Sequence, residues 1–187
     1  MIKNKKLQKF NMLKDSIALI GFMATGKSKV GKRLANYLGK QYKFIDTDQL
    51  IIQEIGKKIP RIFAEEGEDK FREYETSICE KVSKLNKVII SCGGGVILNE
   101  KNVENLKKNC YIVLLRATKE IIYKRTLKNG KETRPIIDKE ESKEKIEKLL
   151  EFRKPYYKKA ADIIIDTTNK NIKNIVREIV IKTQLKT

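Results

Sequence analysis

Short apolar runs punctuate an otherwise polar chain: Ser16 to Ile20, Tyr42 to Ile45, Val88 to Ile90, Tyr111 to Leu115 and Ile163 to Ile165. Each is bounded by polar or glycine-containing sequence and has strand length. After the first run, Lys27 to Leu38 carries Val30, Leu34 and Leu38 at four-residue spacing before Gly39, a helical signature with its stop signal. Strands alternating with helices predict a parallel sheet covered on both faces, because parallel strands need crossover connections. The expected fold is therefore a three-layer α/β domain with a central parallel sheet of about five strands. Two stretches break the alternation. Asp48 to Leu85 is helical in pattern, with interruptions at Gly56, Pro60 and Gly67, and reads as an inserted helical cap between the second and third strands. Lys128 to Lys143 is charged, holds Gly130 and Pro135 and lacks periodic apolar residues, so it reads as a lid-like loop.

Size and charge narrow the picture. At 187 residues, one compact domain over 16–187 is expected, with Met1 to Asp15 as a basic, frayed extension. The net charge of +18, from 42 Lys and Arg against 24 Asp and Glu, suits nucleic acid, acidic membranes or small anions, and does not choose among them. Arginine is scarce, however: Arg33, Arg61, Arg72, Arg116, Arg125, Arg134, Arg153 and Arg177. Where lysine is the general-purpose cation, an arginine inside a motif is a candidate fork for carboxylate or phosphate. Cys79, Cys92 and Cys110 have no C-x-x-C spacing, and no histidine is present to complete a zinc site, so reduced thiols in a cytoplasmic protein are expected. No apolar stretch approaches the roughly 20 residues of a membrane span. The basic residues ahead of Ile17 to Met23 mimic a signal peptide, but that run leads directly into the motif described next.

Gly21-Phe-Met-Ala24-Thr25-Gly26-Lys27-Ser28 matches G-x-x-x-x-G-K-[ST] between a predicted strand and a predicted helix. Glycines there let backbone N–H groups converge on phosphate oxygens at the positive end of a helix. Lys27 would reach the β and γ phosphates and the Ser28 hydroxyl would ligate magnesium. The expected ligand is a nucleoside triphosphate with Mg2+, on a P-loop NTPase fold, a fold that does not itself decide what the triphosphate is used for.

Other constellations supply a second pocket. Asp46-Thr-Asp48 follows the second strand, at the carboxyl edge where open α/β sheets bind ligands. Asp46 could hold magnesium through water. Asp48 could accept a hydrogen bond from an attacking hydroxyl, or could simply cap the helix that begins with Gln49. Arg72 and Glu75 share one helical face, as a ligand-binding pair or as a solvated surface pair. Ser91-Cys92-Gly93-Gly94-Gly95 closes the third strand, where glycines allow either close approach to a ligand or a plain turn. Cys92 reads as a small buried side chain.

Taken in order, the P-loop Gly21 to Ser28, Asp46-x-Asp48, Phe71-Arg72-x-x-Glu75, Gly93-Gly94-Gly95, Arg125-Thr126, Thr133-Arg134-Pro135 and Arg153 with Tyr157 resemble the shikimate kinase family over residues 16 to about 170. The resemblance implies transfer of the γ-phosphate of ATP to the 3-hydroxyl of shikimate, a step of aromatic amino acid biosynthesis. It implies that Asp48, Arg72, Gly94 and Arg153 bind shikimate, both arginines gripping its carboxylate, with Glu75 orienting Arg72. It implies that Gly21, Ala24, Thr25, Gly26, Lys27, Ser28 and Lys29 cradle ATP, that Arg125 packs on adenine, and that Arg134 closes with the lid onto the phosphates. Lys27, Asp48 and Arg134 are the implied catalytic residues. Ser28 would ligate magnesium directly, and Asp46 and Ser91 would support its waters. Ala24 stands where many members have glycine, and Lys29 where a hydroxyl is common. The expected partners are shikimate and ATP, for a monomer that uses neither nucleic acid nor membrane. The competing readings are another small P-loop kinase, for gluconate or a nucleoside monophosphate, and a catalytically idle nucleotide-binding regulator that binds RNA through its charge.

Overall fold

The computed structural model describes residues 14–129 and 141–185. Its centre is a five-stranded sheet of β1 (Ser16–Ile20), β2 (Lys43–Asp46), β3 (Val88–Ser91), β4 (Cys110–Arg116) and β5 (Ile163–Asp166). The strand order is β2-β3-β1-β4-β5 and every pairing is parallel. The apolar runs thus mark the strands to within a residue or so at each end. All five residues of β1 are buried because it lies mid-sheet with a helical layer on each face.

Alternation of side chains along each strand divides the core in two. Ile17, Leu19, Ile89, Val113, Leu115 and Ile165 point to one face and pack with Val30, Leu34 and Leu38 of α1 (Lys27–Leu38) and Ile175, Val176 and Ile179 of α7 (Ile172–Thr183). Ala18, Ile20, Ile90, Ile112 and Leu114 point to the other. That face is covered by α3 (Ile59–Ser83), α4 (Glu100–Asn109), α5 (Lys119–Asn129) and α6 (Glu141–Ala160). Burying a Leu or Ile side chain stabilises by about 1.5–3 kcal/mol, so these two layers carry the fold.

The stretch 48–85 is helical as expected, in α2 (Thr47–Ile55) and α3. Pro60 sits at the start of α3, where its missing N–H costs nothing, and so begins a helix instead of breaking one. Gly67 adopts φ 83° and ψ 173°, a non-helical conformation that divides α3 into two helical segments. Lys57 pairs with Glu65 at 3.0 Å and with Glu66 at 2.6 Å, and the Tyr74 hydroxyl donates to Glu66 at 2.7 Å, tying the two segments together across the kink.

Three local details refine the sequence reading. The cap of α2 is Asp46, whose side chain accepts from the Gln49 N–H, and Asp48 lies inside the first turn. Asp46 has extended φ/ψ of −111° and 118°, the geometry a cap needs, and the strand ends there. Lys14 and Asp15 belong to the domain. Asp15 accepts from the Lys87 N–H and the Ser16 hydroxyl, and Lys14 pairs with Asp162. The ends of the expected 128–143 loop are helical, since α5 continues through Asn129 and α6 starts at Glu141. Residues 1–13 and 130–140, with Arg134 among the latter, lie outside the described residues.

Candidate active site

The carboxyl ends of β1, β2 and β3 meet at one edge. The register aligns Asp46 with Ser91, and Ser91 with Leu19 just before the P-loop, so the acidic residue, the hydroxyl and the phosphate loop converge through strand pairing alone. Gly21 has φ 140°, and a Cβ there would collide with the Leu115 carbonyl. Only glycine lets the chain turn from β1 beneath β4. Gly26, at φ 97° and ψ 14°, starts α1 without any side-chain cap. The first-turn N–H groups of α1, those of Lys27, Ser28 and the exposed Lys29, therefore face outward at the positive end of the helix, as an anion site requires. The Lys27 ammonium donates to the Gly21 and Phe22 carbonyls at 2.7 and 3.0 Å, which holds it over the loop. The buried Thr25 hydroxyl donates to the Phe22 carbonyl at 2.8 Å and stiffens the same turn.

Beside Lys27 lies a cluster of hard oxygen donors. The Ser28 hydroxyl donates to Asp46 Oδ2 at 2.7 Å and stands 3.2 Å from Ser91 Oγ. Magnesium is held by one or two carboxylates together with substrate phosphates and water, and this set next to an uncapped helix start fits that chemistry. Among the described residues no group of three or more His, Cys, Asp and Glu side chains could hold a metal by itself.

The second pocket opens next to the first, and its floor is the glycine run. A Cβ on Gly93 would fall 2.6 Å from Asp48 Oδ1 and 2.9 Å from Glu75 Oε1. One on Gly94 would fall 3.3 Å from Arg153 Nη1, and one on Gly95 would enter the Arg72 guanidinium. None of the three has positive φ, so the glycines are required for closeness to these side chains and not for a turn. The structure thus brings Asp48, Arg72, Glu75 and Arg153 to one place, from α2, α3 and α6.

Arg72 is not a solvated surface residue. Its Nη1 donates to Glu75 Oε2 at 2.8 Å, and Glu75 is only 2% exposed. Burial pushes the Glu75 carboxyl above its ordinary range, with the Arg72 charge pulling the other way. For Arg72, burial works against the charge, but Glu75 and Glu68 outweigh it and hold the guanidinium above its usual value. The Tyr157 hydroxyl donates to the Gly94 carbonyl at 2.7 Å, and burial pushes its pKa up, so it remains a donor. The Arg153 Nε is buried without an acceptor among the described residues, as expected of a group awaiting an anion.

Sequence reasoning missed one connection. Arg125 Nη2 donates to the Thr167 carbonyl at 2.8 Å, and its Nη1 reaches the Thr167 hydroxyl at 3.3 Å and the Ala24 carbonyl at 3.5 Å. The buried Thr167 hydroxyl in turn lies 3.3 Å from the Thr25 carbonyl and 3.0 Å from the Arg116 carbonyl and can donate its one proton to either. Arg125 and Thr167 together brace the P-loop against the segment after β5. The three cysteines are free and buried, and burial pushes Cys79 and Cys110 up to about 12 and Cys92 well above its usual value, so none is a nucleophile.

A sequence model described as shikimate kinase matches residues 23–184. The chain belongs to the shikimate kinase family. A shikimate kinase of Caldanaerobacter subterraneus subsp. tengcongensis is 39% identical over 165 residues, covering 88% of this chain and 94% of the relative. One from Caldicellulosiruptor bescii is 46% identical over 143 residues, covering 76% and 81%. Among solved structures, the shikimate kinase of Acinetobacter baumannii in complex with shikimate superposes with a TM-score of 0.82 at 31% identity, covering 92% of this chain and 96% of that one. A gluconokinase of Sinorhizobium meliloti reaches a TM-score of 0.61 at 20% identity, a likeness of fold alone. Family membership makes the protein an ATP-dependent kinase of the shikimate pathway.

Proposed function

We propose that the pocket floored by Gly93 to Gly95 holds shikimate and that its 3-hydroxyl takes the γ-phosphoryl group of ATP bound at Gly21 to Lys29. The observation that carries this reading is the convergence of two guanidiniums, Arg72 and Arg153, with the Asp48 carboxylate on a glycine floor beside the P-loop. Two forks suit a carboxylate and a carboxylate suits hydroxyls, so an acceptor bearing both is held in one orientation. Asp48 accepts the hydrogen bond of the attacking hydroxyl and aims it at the phosphorus. Lys27 meets charge on the transferring group, and phosphoryl transfer relies on such positioning and electrostatics more than on covalent help. Arg125 packs at the adenine side, braced by Thr167. Arg134, outside the described residues, is assigned by the family resemblance to the phosphates.

Ser28 would hold Mg2+ directly, with Asp46 and Ser91 on its waters. When bound, the ion neutralises phosphate charge. The chain from Lys14 onward works as a single kinase domain with α2 and α3 as acceptor cap. The enzyme is expected to act as a monomer, checked by sedimentation. No helix among the described residues is long and apolar enough to cross a membrane, which accords with a cytoplasmic enzyme. Small anions, not nucleic acid, are the partners expected for the positive charge. Oligonucleotide binding that survives physiological salt would contradict that part. The functional test is a coupled assay of ADP release. It should require both shikimate and magnesium, and equal ADP release without shikimate would sink the reading.

A further inference from the structure

The Arg72 fork is already occupied by protein carboxylates. Glu68 Oε1 accepts from both Nε, at 3.2 Å, and Nη2, at 2.8 Å, while Glu75 Oε2 accepts from Nη1. A carboxylate binds guanidinium best through two parallel bonds along an edge, either Nε with Nη2 or Nη1 with Nη2. Glu68 thus fills the Nε–Nη2 edge, and Glu75 engages Nη1 from the other side. An incoming carboxylate can take the two-bond grip on the Nε–Nη2 edge only by displacing Glu68. Glu75 is 2% exposed and wedged beneath Gly93, so it stays. Glu68 is 62% exposed.

Glu68 also bonds in the weaker manner, with one oxygen serving both donors, where a free carboxylate would bring two. Its release is cheap. It is the first residue after the Gly67 kink, at the N-terminus of the second helical segment of α3, where a solvated negative charge is favoured without any partner.

We propose that Glu68 is a place-holder for the acceptor's carboxylate: it keeps the Arg72 fork paired and aligned in the empty pocket and yields it when the substrate arrives. Glu68 is thus a positioning residue that competes with the substrate and lowers its affinity. The inference rests on the reading that Arg72 receives the shikimate carboxylate.

The test is Glu68→Gln, which keeps size and helical propensity, measured by calorimetric titration of shikimate and by steady-state kinetics. An exposed ion pair to be broken is worth about a two- to fivefold change in binding, so Kd and KM for shikimate should fall by about that factor, with no loss in kcat. The gain should shrink at high salt. Placed on an Arg72→Ala background, the same change should have no effect on kcat/KM, because the fork for which the two carboxylates compete is gone. Unchanged or weaker shikimate binding by Glu68→Gln would overturn the proposal and leave Glu68 as a simple orienter of Arg72. If Arg72→Ala alone left shikimate binding intact, the placement of the acceptor carboxylate would be at fault, and the proposal would fall with it.

Discussion

Alanine placed singly at Gly93, Gly94 and Gly95 distinguishes a glycine floor from a flexible turn. Because none of the three occupies the left-handed region, alanine is permitted by the backbone, and the effect is decided by what the new methyl meets. At Gly93 the methyl lies 2.6 Å from Asp48 Oδ1, and restoring ordinary contact near 3.4 Å requires that oxygen to retreat by about 0.8 Å. A misplacement of about 1 Å in a reacting group costs about 10²-fold in rate, so Gly93→Ala should lower kcat by about that factor. Pressure on the buried Glu75 adds an overpacking cost of about 1–3 kcal/mol in stability. Gly95→Ala drives the methyl into the Arg72 guanidinium and should fall mainly on KM for shikimate. At Gly94 the neighbour is the tip of Arg153 at 3.3 Å, which can yield by a few tenths of an ångström, so Gly94→Ala should be the mildest of the three. Steady-state kinetics in shikimate, ATP affinity by titration and thermal melts separate these effects, and ATP affinity should hold in all three. Near-normal turnover of Gly93→Ala, or a greater loss at Gly94 than at Gly93, would refute the reasoning.

Asp48→Asn should cost little stability, because Asp46 caps α2, yet lower kcat by about 10²- to 10⁴-fold; a folded variant with near-normal turnover would remove Asp48 from the site. Ala24 has φ 59°, so Ala24→Gly should relieve left-handed strain of about 1–2 kcal/mol, less the unfolded-chain entropy of glycine. A rise in Tm of about 1–4 °C by calorimetry is expected, and a fall would contradict it. The Glu75 carboxyl is raised on folding, so its contribution to stability is fully present below its unfolded pKa and is lost as pH rises through the folded value. The Tm of the native chain relative to that of Glu75→Gln should therefore decline as pH rises from about 4.5, and a relative gain over that interval would reverse the sign.

The strands were legible because parallel strands in a covered sheet carry apolar residues on both faces, and such runs stand out against a lysine-rich background. The phosphate loop was legible because its requirements are local: backbone turn, helix start, one ammonium and one hydroxyl. Asp48 was ambiguous for a physical reason, since Asp46 and Asp48 are equally good caps by residue type and only the backbone dihedrals at the end of β2 decide between them. The tie between Arg125 and Thr167 spans 42 residues and depends on β4 and β5 being neighbours, a strand order that no local pattern encodes. The same holds for Lys14 and Asp15, whose partners Asp162 and Lys87 lie far along the chain. The glycine floor was visible as composition, but its purpose became plain only once Asp48, Arg72, Glu75 and Arg153 stood around it.

The measurement closest to the central claim is phosphorus NMR of the reaction products with ATP, magnesium and, in separate tubes, shikimate, gluconate or a nucleoside monophosphate. A new phosphomonoester resonance should grow in step with ADP in the shikimate tube alone, with its coupling placing the phosphate on the 3-hydroxyl. Inorganic phosphate in place of that ester, or faster esterification of gluconate or the nucleotide, would contradict the account.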